Sequence, residues 1–213
     1  MRHNSIISRE GWPIIGFFAV LGIFMLYLSF YILSFLAFIL SIFSLYFFRN
    51  PERLTKEGRG LVFSPADGKV LDITTIIEEE FLNAEVKKIR IFMNLFNVHV
   101  NRIPIAGKVE WVNKKGGIFL PAHLKEAGDK NVRTYTGLLS EYGELLVVQI
   151  TGIFARRIVC WVKPGDNVDT GERFGLIRFG SCVELYLPLE AEIQILPGQR
   201  VKGGETIIAR FIE

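Results

Sequence analysis

The sequence is poor in the residues that build disulfide frameworks and metal centres. Its 213 residues include only two cysteines, Cys160 and Cys182, and three histidines, His3, His99 and His123. Two cysteines cannot form a disulfide framework, and neither their spacing nor that of the histidines is typical of a metal site. We therefore expect reduced thiols in a cytosolic setting, no metal ion, and very few candidates for acid–base chemistry.

Charge is also scarce. The net charge is only +3, from 25 basic and 22 acidic residues, and no run of lysine or arginine indicates a nucleic-acid partner. Residues 11–48 contain no Asp, Glu, Lys, Arg or His over 38 positions, while nine of the 18 phenylalanines lie there. The mean hydropathy is +0.32, and the apolar residues that raise it are concentrated near one end of the chain. This distribution excludes a simple soluble protein and predicts a membrane-associated segment over 1–48, followed by one water-soluble domain over 49–213.

The apolar segment is too long for one straight transmembrane helix. As a helix its 38 residues would extend about 57 Å, roughly twice the 30 Å hydrocarbon core. A split near residues 27–34, where tyrosine and serine cluster, would produce a hairpin with two arms of roughly 16 to 18 residues. Basic residues flank both ends, which predicts a cytoplasmic position for both: Arg2, Arg9, Arg49, Arg53 and Lys56. The alternative is one strongly tilted spanning helix that would place the domain outside the cell.

Beyond residue 53 the chain consists of short apolar runs separated by glycine and proline, with no long stripe of helical period. This pattern predicts an all-β domain. The candidate strands are 60–63, 69–77, 87–92, 99–102, 107–111, 145–150, 157–162, 173–179, 182–187, 192–195 and 206–211. The polar stretch 121–136 is predicted to be a mobile loop with a helical turn at 122–127.

A short motif occurs twice in the C-terminal part of the chain. Residues 164–172 and 197–205 share the pattern PGxxVxxGE, and residues 65–70 are a looser echo. Proline and glycine make the corners and valine returns to the core, as a flattened barrel or sandwich of two quasi-equivalent halves requires. Such turns resemble the hammerhead turns of biotinyl- and lipoyl-like folds. A non-enzymatic, membrane-anchored module of that kind is a second hypothesis, although the chain lacks the exposed hairpin-tip lysine that such carriers modify.

Three places in the sequence carry candidate chemistry. His99 lies on a predicted strand, Asp67 lies in a Pro-Ala-Asp-Gly turn, and Gly180-Ser181 separates two apolar strands. Each has a purely structural explanation, since strand histidines, turn aspartates and Gly-Ser bulges are common away from active sites. The functional hypothesis is that Gly180 permits a backbone conformation in which the Ser181 hydroxyl attacks the Gly180 carbonyl carbon. That reaction needs a base and a donor to the oxyanion.

Several segments together resemble the phosphatidylserine decarboxylase proenzymes, specifically their short membrane-associated type. In order they are SPADGKV at 64–70, FMNLFNVHVNR at 92–102, FARRI at 154–158, VKPGD at 162–166, RFGS at 178–181 and LYLP at 185–188. The resemblance implies self-cleavage between Gly180 and Ser181, without hydrolysis, into a β chain of residues 1–180 and an α chain of residues 181–213. It also implies that Ser181 becomes a covalent pyruvoyl cofactor. This group forms a Schiff base with phosphatidylserine, which then loses carbon dioxide and leaves as phosphatidylethanolamine.

The resemblance implies roles for individual residues as well. Asp67, His99 and Ser181 match the family's self-cleavage triad, in which Asp67 supports His99 as the base that deprotonates Ser181. Longer relatives carry a second histidine where this chain has Arg102, so His99 is expected to serve self-cleavage, decarboxylation or both. Arg102 and Arg156 are candidate substrate-binding residues, because the substrate carries a phosphodiester and a carboxylate.

Further expectations concern packing, substrate and assembly. Adjacent strand residues face opposite ways, so at most one of Arg156 and Arg157 points into a site, and the alternative is an exposed basic pair near anionic lipid. Cys182 is expected to be a packing position. Nothing in the sequence reports the lipid tails, so another serine-headed lipid such as archaetidylserine is an alternative substrate. The family suggests a dimer of the two-chain enzyme on the cytoplasmic face of the cell membrane.

Overall fold

The computed structural model of the chain describes residues 5–153, 157–178 and 180–212. The chain divides into two compact units, Met1–Glu52 and Arg53–Glu213. The first unit is helical and the second consists mainly of strands. The predicted fold class, a mainly β domain preceded by an apolar pair of helices, is confirmed.

The first unit is a helical hairpin. Helix α1 covers Trp12–Tyr27 and helix α2 covers Tyr31–Phe47, so the arms have 16 and 17 residues. The chain reverses between them at Ser29, which has a positive φ of 64°. Each arm is about 24 to 26 Å long, slightly less than the roughly 30 Å of a hydrocarbon core. The predicted two-arm hairpin is therefore confirmed, and the alternative of one continuous helix is wrong.

Two buried serines join the arms of the hairpin. Ser34 Oγ donates to the carbonyl oxygen of Gly22 (2.8 Å), and Ser41 Oγ donates to that of Ile15 (3.1 Å). Small residues at such an interface let two helices approach closely. Large apolar side chains elsewhere on both helices face outward, and by length and composition the helical stretch Arg9–Tyr27 is able to cross a membrane. The outer surface of the hairpin therefore suits an apolar surrounding.

The second unit contains fourteen strands within the described residues. They are β1 (Leu61–Phe63), β2 (Gly68–Glu78), β3 (Ala84–Met93), β4 (Val100–Arg102), β5 (Gly107–Lys115), β6 (Arg133–Ser140), β7 (Gly143–Ile150), β8 (Ile158–Cys160), β9 (Asn167–Val168), β10 (Arg173–Ile177), β11 (Ser181–Pro188), β12 (Glu192–Ile193), β13 (Arg200–Val201) and β14 (Ile207–Arg210). Eight form one curled antiparallel sheet in the order β13-β2-β3-β11-β7-β6-β5-β9. Two three-stranded sheets have the orders β1-β14-β12 and β4-β10-β8.

Strand β11 lies in the centre of the large sheet, hydrogen-bonded to β3 on one side and to β7 on the other. Its residues alternate between two buried faces, as the period of a strand requires. Val183 and Leu185 belong to the main hydrophobic core, whereas Cys182 belongs to a smaller apolar cluster on the opposite face. Ser181 therefore faces the main core, opposite Met93 of β3.

The two copies of the PGxxVxxGE motif form equivalent strands at opposite edges of the large sheet. Strand β13 pairs Val201 with Gly68 at the start of β2, and β9 pairs Val168 with Gly107 at the start of β5. Both strands also carry a bulge at the equivalent place, after Val70 in β2 and after Val109 in β5. The two quasi-equivalent halves that the repeat predicts are therefore present.

One half is continuous in sequence and the other is not. The continuous half comprises residues 99–177, from β4 to β10. The split half comprises residues 60–93 and 181–211, because the whole continuous half is inserted between β3 and β11. Ser181 is thus the residue at which the chain re-enters the split half.

The stretch predicted as a loop differs from the prediction in its second part. Residues 133–140 form β6, and the helical turn α3 covers Ala127–Lys130, not 122–127. The apolar pattern of β6 is weak because its first half is rich in threonine, and these side chains are nevertheless buried. Strands β9 and β13 were also missing from the prediction, since two-residue strands lie below what alternation reveals.

Residues 118–131, which we call the strap, lie against the sheet. The Asn131 side chain is fully buried and bonds to the N–H and the carbonyl oxygen of Leu120 (2.8 Å each) and to the carbonyl oxygen of Thr151 (2.7 Å). The guanidinium of Arg90 on β3 donates to the carbonyl oxygen of Leu124 (2.7 Å). These side-chain anchors hold the strap beside the end of β7.

Candidate active site

Ser181 is completely buried at the first position of β11. The residue before it, Gly180, has a φ of +62°, in the left-handed region that side chains with a Cβ rarely adopt. A Cβ built on Gly180 would meet none of the described atoms within 4 Å. The predicted unusual conformation of Gly180 is therefore present, and glycine is required there by the backbone and not by crowding.

A row of buried polar side chains adjoins the Ser181 hydroxyl. Ser181 Oγ donates to the Met93 sulfur (3.4 Å), and the Asn101 amide reaches the same sulfur (3.7 Å). Gln149 donates to Asn101 Oδ1 (2.8 Å), and all four residues are fully buried. A thioether is a weak acceptor, so the serine hydroxyl can turn toward a stronger base at little cost. The sequence patterns do not single out Asn101 or Gln149, although a glutamine inside the apolar run 145–150 is a visible signal.

His99 lies immediately before β4 and is also fully buried. Its carbonyl oxygen accepts the Ile177 N–H (3.3 Å), four residues before Ser181, so the backbone of His99 lies beside the strand that leads to the Gly-Ser junction. Its Nδ1 lies 3.0 Å from the carbonyl oxygen of Asn97. Because a carbonyl only accepts hydrogen bonds, Nδ1 carries the proton, and Nε2 is the basic nitrogen of the neutral ring.

Asp67 is buried in the turn before β2, where its carboxylate has two partners. Arg53 donates to both of its oxygens (2.5 and 2.8 Å), and the Gly203 N–H donates to Oδ1 (2.9 Å). Burial lowers the pKa of Arg53, but the hydrogen bond and charge of Asp67 outweigh burial and raise it overall. Within the described parts of the chain no hydrogen bond joins Asp67 to His99, and the Asn97 carbonyl occupies the orienting position instead. The catalytic role of Asp67 stays a prediction.

The candidate substrate-binding arginines have different positions. Arg102 is buried, and its guanidinium donates to the carbonyl oxygen of Gly171 (2.8 Å) in the first copy of the repeat. Its Cδ also lies against Gly204, the equivalent glycine of the second copy. Arg102 thus braces both repeat turns, while Arg156 lies outside the described residues. Substrate binding by either arginine stays a prediction.

Comparison with known proteins decides the family. A sequence model described as phosphatidylserine decarboxylase matches residues 40–209. The chain belongs to the phosphatidylserine decarboxylase family. A phosphatidylserine decarboxylase proenzyme of Syntrophus aciditrophicus (strain SB) is 45% identical over 215 residues, covering 99% of this chain and 100% of that protein. One of Carboxydothermus hydrogenoformans is 44% identical, covering 99% of each chain.

Membership of the phosphatidylserine decarboxylase family makes the resemblance found in the sequence a confirmed assignment, and it makes the chain an enzyme of the decarboxylase class. These relatives are named proenzymes, which indicates that a covalent maturation step precedes activity. The Gly180-Ser181 pair lies within the matched residues 40–209, and Gly180 has a positive φ. The lipoyl-like, non-enzymatic alternative is not favoured.

The remaining thiol and metal chemistry of this decarboxylase-family chain is modest. Cys160 and Cys182 are free thiols. Burial first, and then the charge of Glu184, raise the pKa of Cys182 to about 12, so this thiol is an unreactive packing group, as its position in the sequence suggested. Among the residues that the structure describes, no group of three or more His, Cys, Asp or Glu side chains is placed to hold a metal ion.

Proposed function

We propose that this chain is a proenzyme that cuts itself between Gly180 and Ser181 and then converts phosphatidylserine to phosphatidylethanolamine and carbon dioxide. The observation that carries the proposal is the junction itself. A glycine in the left-handed conformation precedes a fully buried serine at the head of the central strand, beside the backbone of a buried histidine. Family membership supplies the reaction and the substrate class.

Self-cleavage begins with attack by Ser181 Oγ on the Gly180 carbonyl carbon. His99 Nε2 takes the hydroxyl proton, the peptide C–N bond breaks as the ester C–O bond forms, and the proton goes to the released amine. β-Elimination then breaks the bond between Oγ and Cβ of Ser181 and frees the Gly180 carboxylate. The resulting dehydroalanine tautomerises, takes up water and loses ammonia, which leaves a pyruvoyl group at position 181.

The surroundings of Ser181 fit such a group. The position is buried against the Met93 thioether, which suits the methyl of a pyruvoyl unit, and the amide of Asn101 is a nearby donor. No described atom occupies the space where a Gly180 Cβ would lie, so the new chain end at Gly180 has room to move away after cleavage. When present, the ketone supplies the electron sink that carboxylate loss requires. The chain's part is to hold position 181, exclude water and provide His99 for proton transfer.

The position of β11 explains how the 33-residue product 181–213 stays attached. Ser181 to Pro188 pair with β3, and Cys182 to Tyr186 pair with β7. Later segments of the same product pair with β2 and β1 through β13 and β14. A cut before Ser181 breaks one peptide bond and none of these ladders, so the mature enzyme is a two-chain unit.

We also propose that the helical hairpin inserts into the membrane from the cytoplasmic side. Its outer surface is apolar, and Arg9 and Arg49 lie at its two ends. A lipid substrate gives the enzyme a reason for this anchor. Protease added to spheroplasts should leave the decarboxylase domain intact, whereas protease added to inverted vesicles should degrade it. The reverse pattern would contradict the cytoplasmic position.

The experiment that tests the main proposal is the intact mass of the purified full chain. We expect two species, residues 1–180 and residues 181–213, the second beginning with a pyruvoyl group and resistant to Edman degradation. The same sample should release carbon dioxide from vesicles that contain phosphatidylserine labelled in the carboxylate. A single uncut chain, or a cut chain that releases none, would refute the proposal.

A further inference from the structure

Gly152 is in direct contact with the carbonyl group that self-cleavage attacks. A Cβ built on Gly152 would lie far inside the 3.0 Å minimum from the Gly180 oxygen, and 3.1 Å from the Gly180 carbonyl carbon. No side chain fits between these two backbones. Gly152 lies two residues after the end of β7, and Gly180 directly precedes β11, so the contact lies where these two neighbouring strands end and begin.

The residue before Gly152 is anchored by hydrogen bonds, and the strap packs beside Gly152 itself. Its neighbour Thr151 is fully buried and donates from N–H and from Oγ1 to the Val132 carbonyl oxygen (3.0 Å each). The Thr151 carbonyl oxygen accepts from the strap residue Asn131 (2.7 Å). Ala122 of the strap lies 3.3 Å from the site of the absent Gly152 Cβ. These contacts of Thr151 and Ala122 oppose a shift of Gly152 away from Gly180.

We propose that Gly152 is a positioning residue for self-cleavage, which keeps open the space that the Gly180 carbonyl oxygen occupies as Ser181 attacks. The inference rests on the self-cleavage proposed above. During the attack the carbonyl carbon becomes tetrahedral, and its oxygen moves and gains negative charge while the bond from Ser181 Oγ forms. An oxygen confined by a methyl group at position 152 cannot make this movement, and the carbonyl is pushed from the line of attack.

The proposal predicts a kinetic defect in Gly152→Ala that exceeds its effect on stability. Displacing a reacting group by about 1 Å can cost about 100-fold in rate. We therefore expect the Gly152→Ala precursor to fold and to cut itself about 100-fold more slowly than the parent chain. The measurement is the time course of precursor loss in detergent, followed by denaturing electrophoresis and intact mass.

Gly107→Ala is the matched control. A Cβ at Gly107 would press on the Leu139 carbonyl oxygen with a similarly severe clash, but within the β5–β6 pair and not at the junction. Gly116→Ala is the neutral control, since no described atom lies within 4 Å of its Cβ. If Gly152→Ala acts only through general destabilisation, Gly107→Ala will slow cleavage equally, and the proposal is overturned.

Hydroxylamine separates the two steps of the reaction, because it cleaves esters but not ordinary peptide bonds at neutral pH. A Gly152→Ala precursor blocked at the attack step contains no ester and should resist hydroxylamine. Hydroxylamine-induced cleavage between 180 and 181 would show that the ester forms and only elimination is slow, which contradicts the proposal. If Gly152→Ala does not fold, Ala122→Val narrows the same space from the strap and should slow cleavage in a folded precursor.

The parent chain distinguishes this inference from the function on which it rests. A parent chain that never cuts itself overturns the proposed function. A parent chain that matures, together with a folded Gly152→Ala or Ala122→Val chain that matures at the parent rate, overturns only the role of Gly152.

Discussion

The continuous half and the split half use different side chains at equivalent corners. These corners are the turns that precede β5 in the continuous half and β2 in the split half. In the continuous half the Ala106 N–H donates to Thr170 Oγ1 (2.8 Å) at an exposed position. In the split half Asp67 stands in place of Ala106, accepts the N–H of Gly203 and pairs with Arg53. Thr170 and Gly203 occupy the same place in the repeated motif. Since a neutral hydrogen bond closes the corner of the continuous half, the additional buried ion pair of the split half is a difference whose purpose the variants below test.

A second difference lies where each half enters the centre of the large sheet. The continuous half turns tightly from β6 into β7, and Ser140 opposite Gly143 closes the hairpin. The equivalent place in the split half is Met93 opposite Ser181, but here the chain arrives from β10 after the whole continuous half. A break in the chain at this entry would leave the pairing of β11 with β3 and β7 in place.

The largest predicted effect is on self-cleavage, and it compares a serine at the entry into β11 with a serine at the turn from β6 into β7. Ser181→Ala removes the nucleophile, so the chain should stay full length indefinitely and form no pyruvoyl group. Ser140→Ala removes a hydroxyl that bonds only its own turn, at a cost of about 1 kcal/mol, and the chain should mature normally. Intact mass measures both variants. Maturation of Ser181→Ala would assign the nucleophile to another residue.

The next effect concerns His99, whose equivalent in the split half is Gly60. The Ile177 N–H donates to the His99 carbonyl oxygen, as the Phe211 N–H does to that of Gly60 (2.9 Å), so only the imidazole is special to the continuous half. His99→Ala should slow self-cleavage by about 10²- to 10⁴-fold, because general base catalysis typically contributes that much.

The control for the His99 variant is His123→Ala on the strap, whose ring makes an edge contact with Phe92. Electrophoretic time courses compare the two variants with the parent chain. Equal rates for His99→Ala and the parent would exclude His99 as the base, whatever the behaviour of His123→Ala.

A smaller effect compares the two corners directly. In an uncut Ser181→Ala background, Asp67→Ala removes the bidentate partner of the buried Arg53 cation and leaves it with the longer ion pair to Glu205 (3.6 Å), so the free energy of unfolding should fall by about 3 kcal/mol. Thr170→Val in the other corner should cost about 1 kcal/mol or less. Denaturant unfolding in detergent measures both.

The catalytic part of the Asp67 prediction needs the serine in place. With Ser181 present, Asp67→Ala should also slow self-cleavage, whereas Thr170→Val should not. If Arg53→Met combined with Asp67→Leu restores both stability and cleavage rate, the ion pair is only structural, and the proposed role of Asp67 in catalysis is wrong.

The smallest predicted effect concerns the alkylation rates of the two cysteines, Cys160 in the continuous half and Cys182 in the split half. Burial raises the pKa of both thiols, to about 12 for Cys182 of the split half, so neither is much ionised at neutral pH. Alkylation depends on the thiolate. At pH 8 the partly exposed Cys160 should react slowly, about tenfold faster for each added pH unit, while Cys182 reacts only after unfolding. Peptide mapping by mass spectrometry measures this order, and rapid labelling of Cys182 in the folded chain would contradict the burial of β11.

Much of the fold follows from local patterns. The uncharged run 11–48 predicts the helical hairpin, short apolar runs predict most of the strands, and the repeated corners predict two quasi-equivalent halves. β6 escaped prediction because its buried face is made of threonine and tyrosine as much as of aliphatic residues. The strap likewise shows little hydrophobic pattern. Hydrogen bonds from the side chains of Asn131 and Arg90 to backbone carbonyls hold it in place, and burial of apolar side chains contributes less to its position.

The sequence by itself determined the apolar helix pair, the β class and the family, because composition, period and motif order are local properties of the chain. Only the tertiary structure decided which groups meet there. Met93 faces Ser181 across 88 positions of sequence, the Asn97 carbonyl contacts His99 Nδ1, and Gly152 lies against the Gly180 carbonyl. The contacts of backbone carbonyls and of glycines have no signature in a sequence, and long-range strand pairing depends on how the whole core packs.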